Sequence, residues 1–291
     1  MARPVIGVIG GSGLYDLPGL RVDREEHIVS PWGEPSDLLR FGQVGDTACV
    51  FLARHGRGHR LSPSTINYRA NIDALKRAGV TDVISMSACG SFKRHLYPGM
   101  FVLADQFVDR TFARQTSFFG TGCVAHVSMA HPVAPHLRRR LAEAAEAEGV
   151  PHQVGGTYVC MEGPQFSTLA ESLDYQSRGW DVVGMTAATE AKLSREAELP
   201  YALCAMVTDF DCWHEEHGPV DVASVVKTMV DNGEKANRML VRMLQDAPAE
   251  REACPIGSDR ALDGAIMTAP GARDPLLIAK LDAVAGRALR S

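Results

Sequence analysis

The chain has 291 residues, 45% hydrophobic and 22% charged, with a formal net charge of -5. That apolar content fills one large α/β domain or two small ones, while the acidic balance argues against a nucleic-acid partner and leaves any anionic ligand to local charge. No run approaches the ~20 apolar residues of a membrane span, no signal-peptide layout opens the chain, and seven scattered cysteines form no Cys-x-x-Cys pair, so a cytoplasmic protein without disulfide or zinc framework is expected.

Residues 5–9 form a short apolar run that predicts a buried strand leading into Gly10-Gly11-Ser12-Gly13. Glycine amides there can turn toward an anion, and Ser12 adds a hydroxyl. Asp16 stands where a dinucleotide fingerprint needs its third glycine, and Pro18 and Gly19 oppose the helix that motif requires. A single-phosphate loop and a plain tight turn both fit. Residues 21–45 alternate charge, Pro and Gly and read as hairpins or loops. A second buried strand, 47–53, ends in Arg54-His55-Gly56-Arg57-Gly58-His59. The glycines oppose a zinc helix through His55 and His59. Arg54 and His55 are either charge-assisted donors to an anion or part of a basic surface loop.

A helix is predicted over 67–78, then a strand over 80–86 ending in a small-residue loop, Ser87-Ala88-Cys89-Gly90-Ser91. Another strand covers 101–107, and residues 111–132 lack periodicity and read as a long loop, a length usually tied to function or contact. An amphipathic helix at 135–148 precedes a strand at 155–161 that leads to Glu162-Gly163-Pro164-Gln165-Phe166. Helix 168–178, strand 181–185, helix 190–198 and strand 201–207 follow. The last ends in Thr208-Asp209-Phe210-Asp211-Cys212-Trp213. His214-Glu215-Glu216-His217 is one residue short of a zinc motif. A long helix at 221–246 carries Val222, Val225, Val226 and Met229 along one stripe. After Pro248 come short helical pieces at 258–267 and 275–288. The tail, 247–291, is expected to pack on the main domain, 1–246, or on a neighbour.

Strands alternating with helices predict a single-domain α/β fold, a mixed β-sheet flanked by helices on both faces, with ligands at the strands' carboxyl ends. Five strand ends carry polar or glycine-rich clusters: Ser12, Arg54/His55, Ser87/Ala88, Thr186 and Asp209/Asp211. Taken singly, each has a plain alternative. Asp209 or Asp211 fits a helix cap, the valine stripe fits core packing, Phe166 fits a loop anchor, and His126 fits a surface or core histidine.

The collinear segments Ile9-Gly10-Gly11-Ser12-Gly13-Leu14, Leu52-Ala53-Arg54-His55-Gly56-Arg57, Asn67-Tyr68-Arg69-Ala70-Asn71, Ser87-Ala88-Cys89-Gly90-Ser91, Asp105 to Thr111, Glu162-Gly163-Pro164-Gln165-Phe166-Ser167, Gly184-Met185-Thr186 and Thr208 to Trp213 resemble the trimeric purine nucleoside phosphorylase family, in its methylthioadenosine-cleaving branch. The resemblance covers residues 5 to about 230 and implies that family's fold. It implies phosphorolysis of S-methyl-5'-thioadenosine to adenine and S-methyl-5-thioribose 1-phosphate, with inorganic phosphate as co-substrate and neither metal nor organic cofactor. It further implies a homotrimer or dimer of trimers, with no nucleic-acid or membrane partner.

Carried over by position, phosphate is held by Ser12, Arg54, His55, Ser87, the amide of Ala88 and Thr186. Met185 lies beneath the ribose, Phe166 and Ser167 lie by the base, and Asp209 and Asp211 read the purine edge, a protonated Asp209 serving N7. His126 of an adjacent subunit closes the 5' end with Val222, Val225 and Val226. Ser12 replaces the family's usual Thr and keeps the hydroxyl, whereas Gly184 stands where some relatives have Asn. Three alternatives stand beside this reading: the same chemistry on 6-oxopurine nucleosides or methylthioinosine, which would want Asn at 209; a nucleosidase using water; and a non-catalytic nucleoside binder.

Overall fold

The computed structural model describes residues 3–11, 14, 17, 19–214 and 222–290, with side chains in the last range from Val225 onward. Strand β5 (Asp82–Ser91) is the member on which the sheet is assembled. Its first half lies between β1 (Val5–Gly10) and β11 (Tyr201–Asp209), parallel to both. Past the end of β1, Gly90 and Ser91 pair antiparallel with β10 (Val182–Gly184), while Gly90 still partners Asp209 of β11. From β1 the sheet extends through β4 (Thr47–Ala53), β3 (Leu39–Val44) and β2 (Arg21–Glu26). From β10 it extends through β9 (Thr157–Cys160) to β7 (Gln106–Asp109). On a third branch, β11 pairs β6 (Phe101–Leu103), which pairs β8 (His152–Val154). The result is the expected mixed sheet, here of 11 described strands.

Alternate strand residues feed two apolar layers, which is why the central strands read as continuous hydrophobic runs. Ile9, Val83 and Leu203 face one layer with α1 (Tyr68–Arg77) and α4 (Ala187–Glu196). Val8, Ile84 and Cys204 face the other with α2 (Pro135–Ala147) and α5 (Val222–Gln245). Near the cavity, α3 (Leu169–Ser177) packs Tyr175 against Phe92 and Val183. No described helix is long and apolar enough to cross a membrane.

Several boundaries differ from the sequence reading. β5 runs on through Ser87–Ser91, where a loop was expected, because these small residues continue the ladder to β11 and then to β10. The 101–107 run splits into β6 and β7, which pair with different strands. The 155–161 run breaks at Gly155 and Gly156, whose φ values of +89° and +133° favour glycine, and β8 precedes the break. Residues 21–45 include a true antiparallel pair, β2 and β3. Helix α4 begins at Ala187, three residues early. In the tail, 258–267 yields only a 3₁₀ turn, Ser258–Arg260, and 275–288 becomes α6 (Pro275–Lys280) and α7 (Gly286–Leu289). That tail buries Leu281, Val284 and Ala285 in the first layer, and Arg287 binds Glu198 with Nε 2.8 Å from Oε2.

Candidate active site

A cavity of about 720 Å³ opens at the carboxyl ends of the central strands. It gathers Arg54 and His55 after β4, Ser87 and Ala88 in β5, Met185 and Thr186 after β10, and Asp209 and Asp211 at the end of β11. Phe166 and the α5 residues Val225 and Val226 complete the wall. Ser12 and the side chain of Val222 lie outside the described residues. Ser167 is not in the wall: it is buried behind it, against the Met161 sulfur and Asp211. His126 does not reach this chain's own cavity either. It is exposed, on a segment that pairs with 265–267, its N–H donating to Ala265 O at 2.9 Å.

At one end of the cavity the chemistry suits an anion. Arg54 is 1% exposed. Its Nε donates to Glu190 Oε1 at 2.5 Å, Nη2 to Glu190 Oε2 at 3.1 Å and Ser85 Oγ at 2.6 Å, and Nη1 to Met86 O at 2.9 Å. Four of its five N–H groups are committed, leaving one on Nη1. Burial works against its charge, and Glu190 outweighs that and holds it charged. A Cβ on Gly11 would lie 2.6 Å from both Nη1 and Met86 O, so glycine at this position lets the backbone pass close to Arg54.

Thr186 is the N-cap position of α4 yet makes no capping hydrogen bond, and its buried Oγ1 has no partner. The N-terminal end of the helix and this hydroxyl form a ready anion seat. His55 differs from the expected charged donor. Burial, then Arg54, pushes its pKa down to about 3, and its Nδ1 lies 2.8 Å from Leu61 O, to which it donates. Its ring is therefore neutral and presents Nε2 as an acceptor.

The other end suits a hydrogen-bonding base. Burial raises the pKa of Asp209 to about 6. Its Oδ1 accepts the Asp211 N–H at 2.8 Å, and Oδ2 lies 2.7 Å from Thr208 Oγ1, which is also 3.1 Å from Cys89 O. Thr208 has one hydroxyl proton for the Cys89 carbonyl and Asp209 Oδ2; given to the carboxylate it works, with the Asp211 N–H, against the rise that burial causes. Gly90 makes room: a Cβ there would sit 2.9 Å from Asp209 Oδ1. Asp211, at φ +51°, is also pushed up by burial, and its Oδ2 is buried without a partner.

Sequence reasoning missed the groups that hold these in place. Glu190, 2% exposed, takes Arg54, Ser85 Oγ at 2.7 Å and Tyr201 Oη at 3.1 Å. Its one signal was an acid on a helix face otherwise destined for the core. Arg114, from the long loop, donates to the carbonyls of Met185 and Glu162, fixing the turn before Thr186 against the exit of β9. Nothing local marked it. Gly184 is explained too, because a Cβ there would fall 1.9 Å from the Tyr158 hydroxyl. A side chain at 184 cannot coexist with Tyr158 as it stands.

Glu190→Gln leaves the Arg54 charge buried with no counter-ion. Urea unfolding at pH 7 should show a loss of about 3–5 kcal/mol. A loss below about 1 kcal/mol would mean that Arg54 draws its compensation elsewhere.

The phosphorylase superfamily model matches residues 5–245. The S-methyl-5'-thioadenosine phosphorylase of Bradyrhizobium diazoefficiens is 64% identical over 290 residues, covering 100% of each chain. A methylthioadenosine phosphorylase from an antarctic soil metagenomic library superposes with a TM-score of 0.90 at 40% identity, covering 98% of this chain and 99% of its own. The Schistosoma mansoni methylthioadenosine phosphorylase, solved in complex with adenine, gives 0.85 at 36% identity, covering 94% and 100%. The chain belongs to the phosphorylase superfamily, on the branch of these methylthioadenosine phosphorylases.

Proposed function

We infer that the chain catalyses phosphorolysis of S-methyl-5'-thioadenosine to adenine and S-methyl-5-thioribose 1-phosphate. The observation that carries this reading is one cavity with an anion seat at Arg54 and Thr186 and a burial-raised acid, Asp209, at its other end. Rupture of the C1'–N9 bond leaves positive charge on the ribose. Phosphate held by Arg54, Ser87, the Ala88 amide and Thr186 stabilises that charge and then bonds to C1'. Met185 lies under the sugar. Asp209 gives its proton to N7, so adenine leaves neutral, and general-acid help of this kind is worth roughly 10²–10⁴-fold. His55, being neutral, contacts the anion by accepting from a P–OH group at Nε2.

The 5' methylthio group faces Val225 and Val226; as sequence positions, Val222 completes that wall and Ser12 completes the phosphate set. His126 serves a neighbouring subunit in a homotrimer or dimer of trimers. Its exposure on a loop that does not reach its own cavity supports that arrangement. No metal or organic cofactor is required by this chemistry. The enzyme works in the cytoplasm, in purine and methionine salvage; all seven thiols are unpaired, as a reducing compartment keeps them.

Turnover of methylthioadenosine should require inorganic phosphate and yield a sugar 1-phosphate. Equal turnover in phosphate-free buffer, releasing free methylthioribose, would replace this reading with a nucleosidase.

Adenine protonated at N7 presents two donors, which an ionised Asp209 matches with two acceptors, whereas a 6-oxopurine presents an acceptor beside N7–H. Asp209→Asn should therefore shift the kcat/KM ratio of methylthioadenosine to methylthioinosine toward the latter by ~10- to 100-fold, each mismatched group costing about 1–3 kcal/mol. An unchanged ratio in a folded variant would show that the base is read elsewhere.

A further inference from the structure

The cavity needs an electrostatic source that its recognised phosphate residues do not supply. Arg54 is neutralised at contact distance by Glu190, His55 is uncharged, and burial also lowers the pKa of His59, which stacks on His55 with centroids 4.2 Å apart. Asp209 and Asp211 add negative charge to the wall whenever they ionise, and the whole chain carries -5. A phosphate dianion approaching such a site meets little net attraction. One wall residue differs. Arg60 is exposed at the cavity, and its Nη2 donates to Ser36 O at 2.6 Å. Among the described residues no carboxylate lies within ion-pair distance of it, so its charge at the cavity wall is not compensated.

Its placement is built by the backbone. Gly56 turns the chain at φ +70°, and a Cβ there would lie 2.9 Å from both Arg60 Nε and Ser36 O. The Leu61 N–H donates to His55 O, which ties the next residue to the phosphate-side histidine. Resting on the phosphorolysis reading above, we propose that Arg60 is the capture cation for phosphate: its uncompensated charge draws the dianion into the cavity and holds it against the Arg54–Thr186 seat. The role is electrostatic, so a lysine at the position should perform it, and salt should screen it because the group is exposed.

The test is steady-state phosphorolysis of methylthioadenosine by wild type, Arg60→Gln and Arg60→Lys, with phosphate and nucleoside varied separately at low and high potassium chloride. Arg60→Gln should raise the KM for phosphate roughly tenfold and flatten the fall of its kcat/KM with salt. The KM for methylthioadenosine should change less, and Arg60→Lys should recover most of the loss. An unchanged phosphate KM and salt slope in Arg60→Gln would overturn the proposal. So would equal rises in both KM values with the wild-type salt slope, the signature of a residue that only pins Ser36. Wild-type turnover that ignores phosphate is a separate result; it removes the underlying reading and this proposal with it.

Discussion

A charge taken out of water must be paired or given up, and the two ends of this cavity solve that problem in opposite ways. Arg54 keeps its charge because Glu190 reaches it from α4 while Ser85 and the Met86 carbonyl fill out its donors. Among the described residues Asp209 is paired with no cation, and it moves toward the neutral acid instead. Both outcomes are set by the same sheet. β5 brings Ser85, Met86 and Cys89 to the two groups. The pairing keeps a fixed hydrogen-bond donor for an anion, and the neutralisation keeps a proton for a leaving base.

The strands and their ends were the most legible part of the chain. Strands buried on both faces announce themselves as apolar runs, and residues that follow such runs in an α/β sheet gather at one edge. Arg54, Thr186 and Asp209 were found that way and by resemblance. The missing pieces had no local signal. Glu190 meets Arg54 across 136 residues of sequence, and Arg114 crosses 71 to reach Met185. An apolar run also states that a strand is buried without naming its neighbour, so the division of 101–107 between two partners was invisible. His55 looked like a cation because its sequence neighbours are basic; burial makes it neutral.

Glycine carries much of the site's geometry, though for reasons other than phosphate approach alone. Gly11 makes space for Arg54, Gly90 for Asp209 and Gly184 for the Tyr158 hydroxyl. Each is a close approach between backbone and a functional or supporting side chain, where a methyl group would collide. Gly11 therefore serves the buried arginine whatever its neighbours contribute to the anion.

The central claim is that Asp209 is held as an acid by its surroundings. At pH 7 a midpoint near 6 leaves roughly a tenth of the carboxyl protonated, and a bound nucleoside that expels more water moves the balance further toward the acid. A ¹³C NMR titration of the Asp209 carboxyl, assigned by loss of the signal in Asp209→Asn, measures this directly. The account predicts a midpoint of about 6 in the free protein. A midpoint near the ordinary aspartate value of ~3.9 would contradict it and would leave the leaving base without its proton donor.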